Sequence, residues 1–302
     1  MSSHNKLIII LSELIFVNIL IIANIVITTS KTQDIERNLQ VPKQQNVISK
    51  PKMTFGDILA KVIEAPQVLG ISETTTPKPT HQPSFKSLSK EKYTIAIIGD
   101  SMEETMGDSL DYLQKSLKEI YPTTKFSMYN YGIGSEKVTE GLERLNKPFD
   151  RGNRHYPPLT ELKPDILIVG SYAYNPFDTH DPLNHHNKLA ELVNRARQIT
   201  PKTYMLAEIA PIESGFGTGV GGVNWPEDLA SKHTLKIIDQ MQNSLVISKE
   251  LTLPLINVFD ASKKANSTYG KPQYISTHDH IHPSILGQIF TAENIVKQLN
   301  LD

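Results

Sequence analysis

Two short stretches, far apart in the chain, hold the residue types that acyl-group chemistry uses. The first is Thr94-Ile95-Ala96-Ile97-Ile98-Gly99-Asp100-Ser101, an apolar or β-branched run that stops at Gly-Asp-Ser. The run reads as a buried strand. A parallel α/β sheet presents ligands at the carboxyl ends of its strands, which would put Ser101 at the mouth of the sheet. A turn serine is common and means little alone. It becomes a nucleophile beside a base, and the base in turn needs an acid to orient it. The second stretch, Thr277-His278-Asp279-His280-Ile281-His282-Pro283-Ser284, offers both. The Asp279-x-x-His282 spacing lets one tight turn bring the carboxylate to the imidazole. The acid would hold Nδ1–H and leave Nε2 free to take a proton from Ser101.

Two other constellations compete with this one. His278, His280 and His282 alternate with Asp279, and imidazoles with a carboxylate can bind zinc. No matching ligand pair stands upstream, where His155, His180, His185 and His186 occur, so no metal is expected. The glycine-rich run from Gly215 to Gly222 lacks the Gly-Lys-Ser/Thr ending of a phosphate loop and meets the dinucleotide spacing only loosely. It reads as a flap over a cleft, with Phe216 and Trp225 as its apolar contacts. No organic cofactor is implied.

The elements that must position these residues alternate from residue 91 onward. Strands are expected at 93–98, 125–130, 165–170, 203–209 and 254–259. Helices are expected at 109–121, 136–146, 184–199, 228–250 and 284–299. Apolar strands alternating with amphipathic helices argue a parallel sheet covered on both faces. Pro283 stands where the first turn of a helix tolerates proline.

Gly99-Asp100-Ser101 after a strand, with Asp279-x-x-His282-Pro283 before the last helix, resembles the SGNH (GDSL) hydrolase family. Two blocks between them extend the resemblance to about residues 93–299. Asn130-Tyr131-Gly132-Ile133-Gly134-Ser135 is similar to the family's Asn-x-Gly-x-x-Gly stretch. Pro164-Asp165-Ile166-Leu167-Ile168-Val169-Gly170, followed by Asn175, is similar to its Pro-Asp-strand-Gly-x-Asn block. The resemblance implies a three-layer α/β/α domain with a mostly parallel, flavodoxin-like sheet. It implies Ser101 as nucleophile, His282 as base and Asp279 as the acid behind it. The oxyanion donors it implies are the Ser101 N–H, the N–H of Gly134 or Ser135, and the Asn175 amide. By unbroken counting the second-block glycine falls on Ser135, with Gly134 just before it. Asn175 comes later than the usual Gly-x-Asn, with Asn184 and Asn187 as further candidates.

The rest of the chain sets the surroundings. It has 302 residues, a formal net charge of -1 and no cysteine. The charge gives no pull toward nucleic acid. Without cysteine there are no disulfides, cysteine nucleophiles or thiolate metal sites. Within residues 1–30, Leu7 to Thr28 is mostly apolar, about 33 Å long if helical at ~1.5 Å per residue, enough to cross a bilayer. No small-x-small cleavage site follows it, so it reads as an uncleaved transmembrane anchor with the bulk of the chain outside. Residues 31–90 read as a Pro-, Thr- and Lys-rich linker. A short amphipathic helix is expected in it near 54–65, where Phe55, Ile58, Leu59, Val62 and Ile63 share a face. The domain proper spans 91–302. By analogy with part of the family, the expected substrate is a small acyl ester, such as acetyl, on cell-envelope glycan. A lipid or lysophospholipid ester, acyl transfer to another sugar, and a catalytically impaired domain that binds glycan are the alternatives.

Overall fold

A computed structural model describes residues 88–301. The expected anchor, and the linker with its short helix, lie outside these residues but for 88–90. Among the described residues, no helix is long and apolar enough to cross a membrane.

Five strands form one sheet. They are β1 (Lys92–Gly99), β2 (Lys125–Gly132), β5 (Ile166–Gly170), β6 (Thr203–Ala207) and β7 (Leu255–Asn257). Their order is β2-β1-β5-β6-β7, and every neighbouring pair is parallel. The chain leaves β1 for one neighbour and then returns to the other side of it. The crevice beyond β1 and β5 is therefore the switch point of a doubly wound sheet. A second, two-stranded antiparallel sheet pairs β3 (Phe149–Arg151) with β4 (Arg154–Tyr156).

The long helices are α2 (Asp111–Ile120), α5 (Pro182–Ile199), α6 (Glu227–Glu250) and α8 (Ile285–Gln298). Shorter ones are α1 (Ser101–Glu104), α3 (Val138–Glu143), α4 (Leu159–Leu162) and α7 (Val258–Ser262). Side chains alternate across a strand, so β1 and β5 feed two cores. Ile95, Ile97, Ile166 and Ile168 pack with Leu113 and Leu117 of α2, Ile237 and Met241 of α6, and Ala292 and Ile295 of α8. Ala96, Ile98, Leu167 and Val169 pack with Val138 and Leu142 of α3, Leu189 and Leu192 of α5, and Ile247 of α6. These are the three layers expected from the alternation of strands and helices.

The expected elements differ from the observed ones mainly at their ends. The strand expected at 254–259 stops at Asn257, whose side chain accepts the Asp260 N–H at 2.9 Å and opens α7. The strand expected at 203–209 stops at Ala207, because Glu208 turns inward to meet Ser171. The β3–β4 hairpin was not expected, although Gly152-Asn153 between its strands is a two-residue hairpin signal.

Candidate active site

Ser101 is the first residue of α1, directly after β1. Asp100 is the N-cap. Its carboxylate accepts the Met102 N–H at 2.9 Å, and Glu103 returns the favour by accepting the Asp100 N–H at 2.9 Å. This reciprocal box satisfies donors that a helix start leaves unpaired. It also holds the serine, half-buried, at the sheet's carboxyl edge.

The second block wraps around α1. Asn130 is fully buried and donates to the carbonyls of Glu103 at 2.7 Å and Gly107 at 2.9 Å. The Gly134 N–H donates to Glu104 Oε2 at 2.6 Å. The other oxygen of Glu104 accepts from Arg151 Nε and Arg154 Nη2, both at 2.7 Å, at either end of the β3–β4 turn. Burial would raise the Glu104 carboxyl, but the bonds from Arg151 and Gly134 and the nearby arginine charges outweigh it and hold the group below its ordinary range. Ser135, next along, is exposed and left-handed at φ 66°. Arg144 ties the strand ends together. Its Nη2 donates to Tyr131 O at 2.6 Å and Gly99 O at 3.1 Å.

The third block turns at Tyr172, which is left-handed at φ 56°. The turn brings the Asn175 amide to Asp100, with Nδ2 donating to Oδ2 at 2.9 Å. Asn184 and Asn187 lie along α5 instead, where the Asn184 N–H donates to Asp181 and the Asn187 side chain meets His186.

The loop before α8 carries the remaining pair. His282 Nδ1 lies 2.7 Å from Asp279 Oδ2, while Asp279 Oδ1 accepts the N–H groups of Ile281 at 2.9 Å and His282 at 3.0 Å. Burial pushes the Asp279 carboxyl up, yet these bonds hold it below the usual carboxylate range. A carboxylate at Nδ1 keeps the proton on that nitrogen and leaves Nε2 as the unprotonated one. The loop and α8, into which it leads, pack on α1. Pro283 shares a small void with Met102 and Glu103, and Gln288 Nε2 donates to the Thr105 carbonyl at 2.9 Å. Ser101 Oγ has no hydrogen-bond partner among the described residues.

The glycine-rich run is latched to the same loop. Gly221 N–H donates to the His278 carbonyl at 2.9 Å, and His280 Nδ1 meets Thr218 O at 2.8 Å. Phe216 is buried, stacked on Tyr174 and tilted against His233, and Trp225 meets His233 edge-on. His278 and His280 thus bind the glycine-rich run. Among the described residues, no group of three or more His, Cys, Asp or Glu side chains is arranged to hold a metal ion.

Sequence reasoning missed three groups here. Glu104 with Arg151 and Arg154 gave no local signal, since its partners lie on the hairpin. Glu103 was legible, because Asp100-x-x-Glu103 is a capping-box pattern. Glu208, a lone acid ending the apolar run of β6, was a weaker flag. Asp100, Glu103 and Glu208 are all buried, and burial together with mutual repulsion pushes Asp100 up to about 7.

No protein-family model matches the chain, and no curated protein does. Solved structures do. A lipase/acylhydrolase from Enterococcus faecalis is similar at 16% identity, over 68% of this chain and 94% of that one, with a TM-score of 0.50. A GDSL-like lipase from Bacteroides thetaiotaomicron is similar at 13% identity, over 68% and 86%, also at 0.50. At such identities the likeness speaks for the fold. The domain from β1 to α8 has the fold of the SGNH, or GDSL, hydrolases.

Proposed function

We propose that the chain is a serine ester hydrolase with Ser101 as nucleophile. The observation that carries this is the Asp279–His282 pair, held on a loop that packs against the helix Ser101 opens. Ser101 Oγ attacks the ester carbonyl as His282 Nε2 takes its proton. Asp279 stabilises the imidazolium that forms. The tetrahedral oxyanion needs donors already aimed at it. The Ser101 N–H and the second N–H of the Asn175 amide supply two. The Gly134 N–H is engaged by Glu104, so the second-block donor falls to Ser135. Its left-handed backbone is one that glycine adopts readily, which fits a family position usually held by glycine. His282 then protonates the leaving alcohol, and water releases the acid from Ser101.

The substrate reading is a small acyl ester on cell-envelope glycan, reached by a domain tethered outside the membrane through residues 7–28. Its support is the apolar run and linker in the sequence. A lipid ester is the second reading, favoured by Val220 and Val223, which the flap exposes beside the His278–His282 loop. The test uses the full chain in detergent. A fluorophosphonate probe should label wild type and not Ser101→Ala, and acetylated oligosaccharide should be cleaved faster than long-chain esters. Absence of labelling on a folded chain would leave a binding domain. Preference for long chains would favour the lipid reading.

A further inference from the structure

Three carboxyl groups lie buried at the switch point, and no salt bridge reaches any of them among the described residues. Asp100 is 1% exposed, Glu103 0% and Glu208 3%. The crossover makes room for one of them. A Cβ on Gly99 would fall 1.9 Å from Glu103 Oε2, and one on Gly170 would fall 2.7 Å from Glu103 Oε1. Those strand-end glycines are spaces filled by the Glu103 carboxyl. Its Oε2 accepts the Asp100 N–H, but Oε1 meets no N–H or O–H donor. What faces Glu103 is the carboxyl group of Glu208, which lines the same small void and lies within hydrogen-bond reach. Glu208 in turn accepts both the N–H of Ser171, at 2.6 Å, and its hydroxyl.

Two carboxylate oxygens bond only with a proton between them. Three unpaired charges in one buried site would cost far more than a domain's net stability, so such groups neutralise. We propose that Glu103 and Glu208 share one proton at neutral pH, carried on Glu103 Oε1, and that this singly charged pair positions the oxyanion donors. The pair is a strut between two segments. On one side Glu103 holds Asp100, the residue before the Ser101 N–H. On the other, Glu208 holds Ser171, which leads through Tyr172 to Asn175. The groups that face the pair are Asp100, Tyr172 and Tyr174, with Arg144 beyond Tyr172 and His282 beyond Asp100. Burial first, and neighbouring carboxyls second, raise Glu103 well above its ordinary range. Burial raises Glu208 too.

Glu103 touches no substrate on this account and is a positioning residue. Its effect on turnover rests on the hydrolase reading; the shared proton does not. Glutamine at 103 copies the protonated acid, with its oxygen to Asp100 and its NH₂ to Glu208. Glutamine at 208 cannot copy a carboxylate that accepts from three donors. In the full chain, Glu103→Gln should keep kcat within about 3-fold. Glu103→Ala and Glu208→Gln should lower it by about 10²-fold with KM little changed. Infrared difference spectra of wild type at pH 7 should show a protonated-carboxyl stretch that Glu103→Gln removes. Thermal stability should fall as pH rises above 4.5, because the folded acid keeps a proton that the unfolded one releases, and Glu103→Gln should flatten that slope. Absence of the infrared band, or a full-speed Glu103→Ala, overturns the proposal. So does a tolerated Glu208→Gln beside a crippled Glu103→Gln. If no ester is cleaved at all while the band and slope appear, the hydrolase reading fails and the proton pair stands.

Discussion

Asn175 donates its amide to the Asp100 carboxylate at 2.9 Å, joining residues 75 apart in sequence across the ends of β5 and β1. The bond uses one N–H of the amide and leaves the other, which the proposed reading gives to the oxyanion. It also fixes the direction of that second N–H, because Asp100 is itself held by the Met102 N–H. Asn175→Ala should lower kcat by about 10²-fold with KM nearly unchanged, since an oxyanion donor acts in the transition state. Asn175→Asp should do worse. It sets a second carboxylate against Asp100, and single-turnover kinetics from pH 5 to 8 should show activity retreating to the acid side.

The proposed acid–base pair makes a sharper demand. Ser101→Ala and His282→Ala should each remove nearly all hydrolysis of short p-nitrophenyl esters, and the double variant should be no worse than either. Asp279→Asn should keep the loop, because an amide oxygen can still accept the Ile281 and His282 N–H groups, yet it should favour the wrong histidine tautomer. Its rate should fall by about 10⁴-fold with an unchanged melting temperature. A loss of stability instead would mean that Asp279 serves the loop more than the base.

Glu104 tests whether Gly134 can be a donor. Glu104→Gln should weaken the links to Arg151 and Arg154 and lower stability by about 1–3 kcal/mol, as Arg154 is nearly buried and Glu104 is only partly so. The Glu104 carboxyl is held below its ordinary 4.5, so the folded state is the weaker proton binder. Its stabilisation is present above 4.5 and is lost as pH falls through the lower folded value. The variant should therefore lose part of the wild-type acid sensitivity in urea melts. If Glu104→Ala instead raised kcat, the freed Gly134 N–H would be the better donor and Ser135 the wrong assignment.

His185 is buried beneath the third block, with Nε2 2.9 Å from Ser171 O and Nδ1 3.1 Å from Asn243 Nδ2. The amide nitrogen is a donor, so Nδ1 accepts and Nε2–H donates, which fixes a neutral tautomer. Burial pushes this histidine down from 6.5 to about 4. The unfolded chain binds the proton more readily, so stability is full above 6.5 and falls toward pH 4 by roughly 3 kcal/mol. Denaturant melts of His185→Gln between those values should show a shallower decline than wild type.

Much of this architecture could be read from the chain because it rests on local patterns. The runs at Thr94–Ile98 and Ile166–Val169 are too apolar for anything but buried strands, and the observed sheet places both at its centre. Asp279 and His282 are neighbours by spacing, so their pairing needs only a turn. The bond from Gly134 to Glu104 is another matter, since it depends on Arg151 and Arg154 swinging in from a hairpin. No spacing rule joins Glu103 to Glu208 either, as only the β1-β5-β6 order of the sheet brings the ends of β1 and β6 to the same crevice. Strand ends were misjudged where a polar side chain captured the backbone, as Asn257 does at the start of α7.

Ser101 stands just past the first strand of the sheet, and His282 lies just before the last helix. On the proposed reading, a chain made only as far as residue 278 holds Ser101 but neither Asp279 nor His282 to act with it, and it lacks the α8 face of the core. During synthesis, then, reactivity switches on late. On that reading, copies clipped before Asp279 keep the serine but have nothing to activate it.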